Sequence, residues 1–273
     1  MRKILLLIGI VGFFSCKKDT KSSTSTTTPP PTNTATSNDV KLNFTNMVGS
    51  TILKLSKDTA YHGFVTPKYL NANNDTFYVT RLKYYMSGIR LKKSDGSYYN
   101  EVGGSTRYHL LDASDSVNTC TFNLPSVPLG NYVSLEFIIG VDSAANCSGA
   151  QTGSLDPIHG MFWSWASGYI FFKLEAYSPS APVSPYHNLQ FDIGGYLAPN
   201  DNIKTISLPL SGTNLTVVGD HISTIYLKTD ILEALKTPTT INFATTTGAG
   251  SPSGGVTMAN NYVDMISVAA VKN

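Results

Sequence analysis

The sequence predicts an all-β protein built as an antiparallel β-sandwich with one short helix. Three observations predict it. Apolar residues recur at period two in short runs along most of the chain. Gly, Pro, Asn and Asp bound those runs, and these are the residues that turns use. Tyrosine is abundant, at 15 of 273 residues, and aromatic rings fill the faces of sheets. Many short strands with turn signals between them argue a sandwich of immunoglobulin-like or Greek-key type.

The N-terminus is read first. Arg2 and Lys3 precede an apolar run from Ile4 to Phe14, then Ser15-Cys16. A short basic start, a brief apolar core and a small residue form a secretory signal. The run is too short to span a bilayer. Phe13-Phe14-Ser15-Cys16 resembles a bacterial lipobox, with Phe13 in place of the usual aliphatic residue. Residues 1–15 are therefore expected to be a lipoprotein signal peptide. The mature chain is expected to begin at Cys16, with lipid on its thiol. Each buried methylene of such an anchor contributes about 0.8 kcal/mol. Residues 16–39 read as a tether, almost wholly Ser, Thr, Pro, Lys and Asn. Such a segment buries too little apolar area to offset its ordering entropy. Its prolines extend it at about 3.1 Å per residue. Residues 40–273 form the folded domain, a size ordinary for one all-β domain.

Within the domain the alternating runs are taken as strands. The first is Val40 to Phe44, followed by Phe77 to Tyr85 and Gly88 to Leu91, which ends at the turn Ser94-Asp95-Gly96. Tyr108 to Leu111 is short. Pro128 to Tyr132 turns into Val133–Ile139. Tyr169 to Glu175 and Leu189 to Ile193 come next. Ile203 to Leu210 and Asn214 to Val218 are expected to pair as a hairpin, and Ile222 to Lys228 completes the set. The helix is expected after Asp230, which caps it, with Glu233 three residues on and Ile231, Leu232 and Leu235 apolar. Residues 244–255 are a Thr/Gly/Ser loop without the lysine of a phosphate-binding loop.

Composition excludes several functions. The formal net charge is +2, and two of the positive residues leave with the signal. No basic stripe is present, so nucleic acid is not an expected partner. There is no Gly-x-Ser-x-Gly elbow and no His-Glu-x-x-His helix, so hydrolase chemistry is not indicated. His109 lies in an apolar strand and reads as a hydrogen-bonded core residue. Asp142, Asn146 and Asp156 lack the register of a calcium loop and read as loop caps. With Cys16 taken by lipid, Cys120 and Cys147 remain, and in an oxidising compartment a disulfide between them is expected. Closing that loop stabilises by about 3–4 kcal/mol in the chain-entropy account.

The stretch from Leu155 to Tyr169 is unlike the rest. It holds both tryptophans of the chain, Trp163 and Trp165, with His159, Met161, Phe162 and Tyr169 beside them. Two residues at i and i+2 of a strand share a face. One reading is a stacking platform for a glycan or protein partner on the cell surface. The other is a centre of oxidisable, metal-compatible side chains.

Several motifs recur together in order. They are Phe77-x-Val79-Thr80-x-Leu82-x-Tyr84-Tyr85-x-Ser87, then Gly140-Val141-Asp142-Ser143, then Leu155-Asp156-Pro157. Gly160-Met161-Phe162-Trp163-Ser164-Trp165, Gly168-Tyr169 and Phe191-Asp192-Ile193-Gly194-Gly195 follow. In this the chain resembles the MbnP-like family, periplasmic or surface copper-binding proteins named for their association with methanobactin operons. The resemblance spans nearly all of residues 40–268 and suggests a Bacteroidota-type lipoprotein member. It implies a β-sandwich, a copper cofactor, no enzymatic activity, and an outer-membrane location facing the periplasm or the cell surface. It also implies a partner, a di-haem cytochrome c peroxidase-like protein of the MbnH type, which oxidises a tryptophan to kynurenine. Trp163 and Trp165 are the candidates, Trp163 the favoured one. At the step where family members commonly carry a His this chain has Asp192. The metal ligands implied are then His159, His187 and Asp192, with imidazole the better copper donor.

Overall fold

The computed structural model describes residues 35–57, 67–114, 119–164, 168–183, 186–210 and 212–273. The leader, Cys16 and the tether as far as residue 34 lie outside the described residues. Sixteen strands and three α-helices are present among those described. In chain order the strands are β1 (Ser37–Val48), β2 (Thr51–Ile52), β3 (Tyr69–Leu70), β4 (Thr76–Lys93), β5 (Tyr98–Asn100), β6 (His109–Asp112), β7 (Thr119–Pro128) and β8 (Gly130–Ile139). They continue with β9 (Phe162–Trp163), β10 (Gly168–Tyr177), β11 (Asn188–Gly194), β12 (Lys204–Pro209), β13 (Leu215–Val217), β14 (Ser223–Asp230), β15 (Gly248–Ala249) and β16 (Ile266–Lys272). The helices are α1 (Ser143–Cys147), α2 (Ile231–Lys236) and α3 (Val256–Asn261). No helix among the described residues is long and apolar enough to cross a membrane.

The strands form two sheets around one main core. In β1 the pattern predicted from sequence is realised: Val40, Leu42 and Phe44 are buried while Lys41, Asn43 and Thr45 are not. β1 lies between β14 and β7, with β2 on its far end. The larger sheet runs β12-β8-β4-β10-β11-β15, with shorter strands on β4, β8 and β10. Leu42, Phe44 and Leu227 of the smaller sheet share a core cluster with Leu82, Phe172 and Leu174 of the larger one. Tyr84 ties them together. Its hydroxyl meets Asn46 Oδ1 at 3.0 Å and Thr229 Oγ1 at 2.8 Å, both buried. Burial drives the Tyr84 phenol pKa well upward, so it stays a neutral donor.

β4 shows why two predicted strands are one. Residues 77–85 and 88–91 continue through Gly88, whose φ is 59°. The register with β8 shifts between Ser87 and Arg90, a bulge that bends the strand without ending it.

Four details depart from the sequence reading. β12 and β13 do not pair as a hairpin. Both lie along β8, Lys204–Pro209 opposite residues 134–139 and Leu215–Val217 opposite residues 130–132. The ten-residue β8 offers one continuous edge to both. The pairing is not antiparallel throughout, since β1 runs parallel to β14 and β11 to β15. The helix at residue 231 forms as expected, with Asp230 accepting from Leu232 N at 3.0 Å, but α1 and α3 accompany it. Finally, no disulfide joins Cys120 to Cys147. Cys120 packs on the main core from β7, while Cys147 is exposed at the end of α1. The two cysteines belong to different parts of the fold.

Candidate functional site

A second, smaller core lies at one rim of the larger sheet. It gathers Tyr85, Tyr108, Val141, Ala145, Leu155, Met161, Trp163, Tyr169, Ile170 and Phe171. Most of the motif segments meet here.

Trp163 sits in the two-residue strand β9, opposite Gly168 of β10. Its side chain is 7% exposed, and the neighbouring Ser164 is exposed. The indole is therefore almost fully covered although the chain beside it reaches the surface. Gly194 is the floor of its pocket. A Cβ there would come within 2.8 Å of Trp163 Cζ3 and closer still to the Tyr169 carbonyl. Only the bare backbone of glycine lets the ring lie down. The next ring is Phe162, whose edge meets Tyr169 with centroids 5.0 Å apart, and Tyr169 meets Tyr85 edge-on at 6.1 Å. Such edge-to-face contacts favour aromatic quadrupoles.

Polar side chains hold this cluster in place. Asn146 of α1 is buried, donates to the carbonyls of Val141 at 2.7 Å and Asp142 at 3.0 Å, and accepts from Tyr169 N at 2.9 Å. One amide thus fastens the helix to β10. Tyr169 Oη accepts from Gln151 N at 3.0 Å and donates to the Leu155 carbonyl at 3.0 Å. Tyr85 Oη donates to the Ser154 carbonyl at 2.7 Å. Burial raises the pKa of both phenols.

Asp142 caps α1 by accepting from Ala145 N at 3.0 Å through Oδ1. Its Oδ2 accepts from Tyr108 Oη and from Arg107, each at 2.7 Å. Partial burial opposes its charge, but these hydrogen bonds prevail and hold its pKa below the usual carboxylate range. Asp156 likewise caps the 3₁₀ turn Pro157–His159 by accepting from Ile158 N. The acidic residues of this region are caps, as their spacing predicted.

The predicted metal ligands are not brought together. His159 Nε2 lies 3.0 Å from the Gly153 carbonyl. His187 stands in the turn before β11, its Nδ1 2.5 Å from the Ala181 carbonyl, with the ring edge-on to Tyr177. Asp192 is 7% exposed in mid-β11, with Oδ1 2.6 Å from Lys173 Nζ and Oδ2 accepting from Gln190 at 3.0 Å. Both carboxylate oxygens are engaged, one by a cation that competes with any metal. Among the described residues no group of three or more His, Cys, Asp or Glu is placed to hold an ion. His159, His187 and Asp192 as they stand do not fit copper.

Trp165 lies outside the described residues. With Trp163 covered, that ring offers no open face for a sugar to stack on. His109 is hydrogen-bonded as expected but half-buried rather than in the core, stacked on Phe122 at 3.7 Å and 2.6 Å from Glu101 Oε1. Sequence reasoning missed Tyr108, Arg107 and the fastening role of Asn146. Asn146 signalled itself only by following the Gly140–Ser143 motif, which marks a cap, and nothing in the sequence ties Arg107 and Tyr108 to that cap's second oxygen.

The sequence profile described as MbnP matches residues 37–258. A solved structure, MbnP from Methylosinus trichosporium, is similar at 13% identity and a TM-score of 0.49, covering 86% of this chain and 99% of that one. No curated protein sequence matches.

Proposed function

This chain belongs to the MbnP family, and from that premise we propose that it is a copper-handling protein of the cell envelope. It is a protein substrate rather than an enzyme, and its Trp163–Trp165 segment is oxidised to kynurenine by a peroxide-dependent di-haem partner of the MbnH type. Family membership supports the coarser part, a methanobactin-related copper-handling role.

One observation carries the finer part. Trp163 is the ring of a preformed aromatic cluster that most readily loses an electron without losing a proton, and it is buried over Gly194. That placement suits electron removal by a docked haem and shields the ring from small diffusing oxidants. In the reaction the indole C2–C3 bond is cleaved, and C2 departs as formate after hydrolysis. Two peroxides accept the four electrons removed, leave one oxygen on the ketone carbon and one on C2, and are reduced to two waters. The product keeps the former indole nitrogen as an aniline. Trp163 is the favoured site because motif residues build its pocket.

The leader-like start and the lipobox-like run Phe13-Phe14-Ser15-Cys16 support a reading in which Cys16 carries a lipid anchor and residues 16–39 serve as its tether. His159, His187 and Asp192 do not make a copper site in the unmodified chain, so no step is routed through them.

Co-production with the di-haem partner, followed by intact mass and peptide mapping, tests the proposal. The expected product has lost one carbon and gained one oxygen at Trp163, with loss of the Trp163 share of the indole fluorescence. An unmodified mass beside a peroxide-competent partner overturns it. In the same preparations, Cu(I) retained by the unmodified protein against a chromophoric chelator should be indifferent to His159→Ala and His187→Ala.

A further inference from the structure

The three buried tyrosines of the aromatic cluster differ in what receives their phenolic proton. Tyr85 donates to the Ser154 carbonyl and Tyr169 to the Leu155 carbonyl. An amide carbonyl is too weak a base to take that proton away. Tyr108, 4% exposed, donates to Asp142 Oδ2 at 2.7 Å, and a carboxylate can take it. Arg107 lies 2.7 Å from the same oxygen and 3.2 Å from Tyr108 Oη, which keeps Asp142 ionised in the resting state. Tyr108 and Trp163 belong to one continuous packed cluster, and electron tunnelling across packed side chains does not require ring contact.

We propose that Tyr108 and Asp142 form a proton-coupled redox pair. It reduces one-electron-oxidised Trp163 and stores the oxidising equivalent as a tyrosyl radical. This deepens the reading of Trp163 as an oxidation site and rests on it.

The step balances as follows. The oxidant, a peroxide-activated haem or any strong one-electron acceptor, takes one electron from the Trp163 indole. Tyr108 returns an electron to the indole radical cation. The Tyr108 O–H bond breaks, and its proton forms a new O–H bond on Asp142 Oδ2. The products are neutral Trp163, a neutral Tyr108 phenoxyl radical and a protonated Asp142. A phenol radical cation is a far stronger acid than a carboxylic acid, so the proton moves only on oxidation. In the resting state burial and the hydrogen bond to Asp142 both hold it on the phenol. Kynurenine formation removes more than one electron, so a store beside the ring lets a first equivalent wait for the next.

The test needs no partner protein. The full chain carrying Trp165→Phe, with Trp163 as its sole indole, is oxidised by a photogenerated ruthenium(III) tris-bipyridine complex. Transient absorption follows the indole and tyrosyl radicals. Tyr108→Phe keeps the ring but removes the phenol. Asp142→Asn keeps the N-cap, since Asn caps as well as Asp, but removes the base. The expected result is a tyrosyl signal that rises as the indole radical decays, is slower in heavy water, and is lost in both variants, whose indole radical persists. A tyrosyl signal unchanged in either variant overturns the pairing. So does a decay with no isotope effect in the chain with Tyr108 and Asp142 intact, a measurement that does not depend on how the variants fold. A positive result here with no kynurenine on co-production leaves the pair standing and removes the partner reading. The reverse pattern removes the pair alone.

Discussion

The two cores of this protein are built differently. The main core lies between the sheets and is largely aliphatic and aromatic, closed by strand ladders on both sides. The rim core around Trp163 is half aromatic, five of its ten buried residues. Short elements surround it: a two-residue strand, one five-residue helix and two 3₁₀ turns. Elements so short have little cooperativity of their own. Side chains do the fastening instead, Asn146 to Tyr169, Asp142 to Tyr108 and Tyr85 to Ser154. The main core is specified by pattern over many residues, so changes there spread. The rim is specified by a few hydrogen bonds, so it can be loosened one contact at a time while the sheets remain.

Removing a ring from the main core should give the largest effect. Phe44 is fully buried and stacks near Phe122 with centroids 5.7 Å apart. Phe44→Ala should cost about 3–5 kcal/mol. Denaturant unfolding should show far-UV dichroism and tryptophan emission shifting together, since losing the sheets loses the rim too. Separate transitions in this variant would mean the rim stands independently of the sheets.

Asn146→Ala is the converse experiment. It strips partners from Tyr169 N and the Val141 carbonyl, at about 1–3 kcal/mol for each buried group left unpaired. Here the tryptophan transition should fall below that of the sheets. A single transition for both would merge the two regions into one cooperative unit. Smaller again is Gly194→Ala. The new methyl meets Trp163 and the Tyr169 backbone, an overpacking that costs about 1–3 kcal/mol. Trp163 emission should shift to the red as the ring is displaced, with the sheet signal almost unmoved. An unchanged spectrum would place the ring elsewhere.

The same contrast explains what the sequence revealed. Strands of the main core were legible because burial on one face enforces alternation, as at Val40, Leu42 and Phe44. β7 was not, since Pro125 and Pro128 break its run. The structure permits them because β7 pairs only with β1 and so carries an open edge. The supposed hairpin failed because local pattern says that two segments are strands, not which neighbour each takes. The rim gave its location through its unusual residues, and its family through their order. Its mechanism of assembly stayed hidden. Nothing in the run Gly194-Gly195 announces that an indole lies across the first glycine, and nothing local to Asp192 announces Lys173 as its partner.

Acid should produce the smallest and most selective change. Asp142 has a folded-state pKa below its ordinary value of about 3.9. A carboxylate shifted downward on folding contributes stability that is complete above the unfolded value and is lost as pH falls through the folded one. Asp112, drawn down by Lys83 and Ser114 against its partial burial, behaves the same way in the larger sheet. Both regions therefore weaken below about pH 4, and wild-type protein alone does not separate them. Asp142→Asn does. It keeps the cap, replaces the titrating oxygen at the rim by an amide NH2, and so removes the acid-sensitive bonds from Tyr108 and Arg107. Tryptophan emission of this variant, in the Trp165→Phe background, should lose most of its acid dependence, while the dichroism of the sheets still falls as Asp112 protonates. If emission keeps its full acid dependence, the rim is held by contacts other than the Asp142 hydrogen bonds, and the division between a patterned core and a fastened one fails at its most direct point.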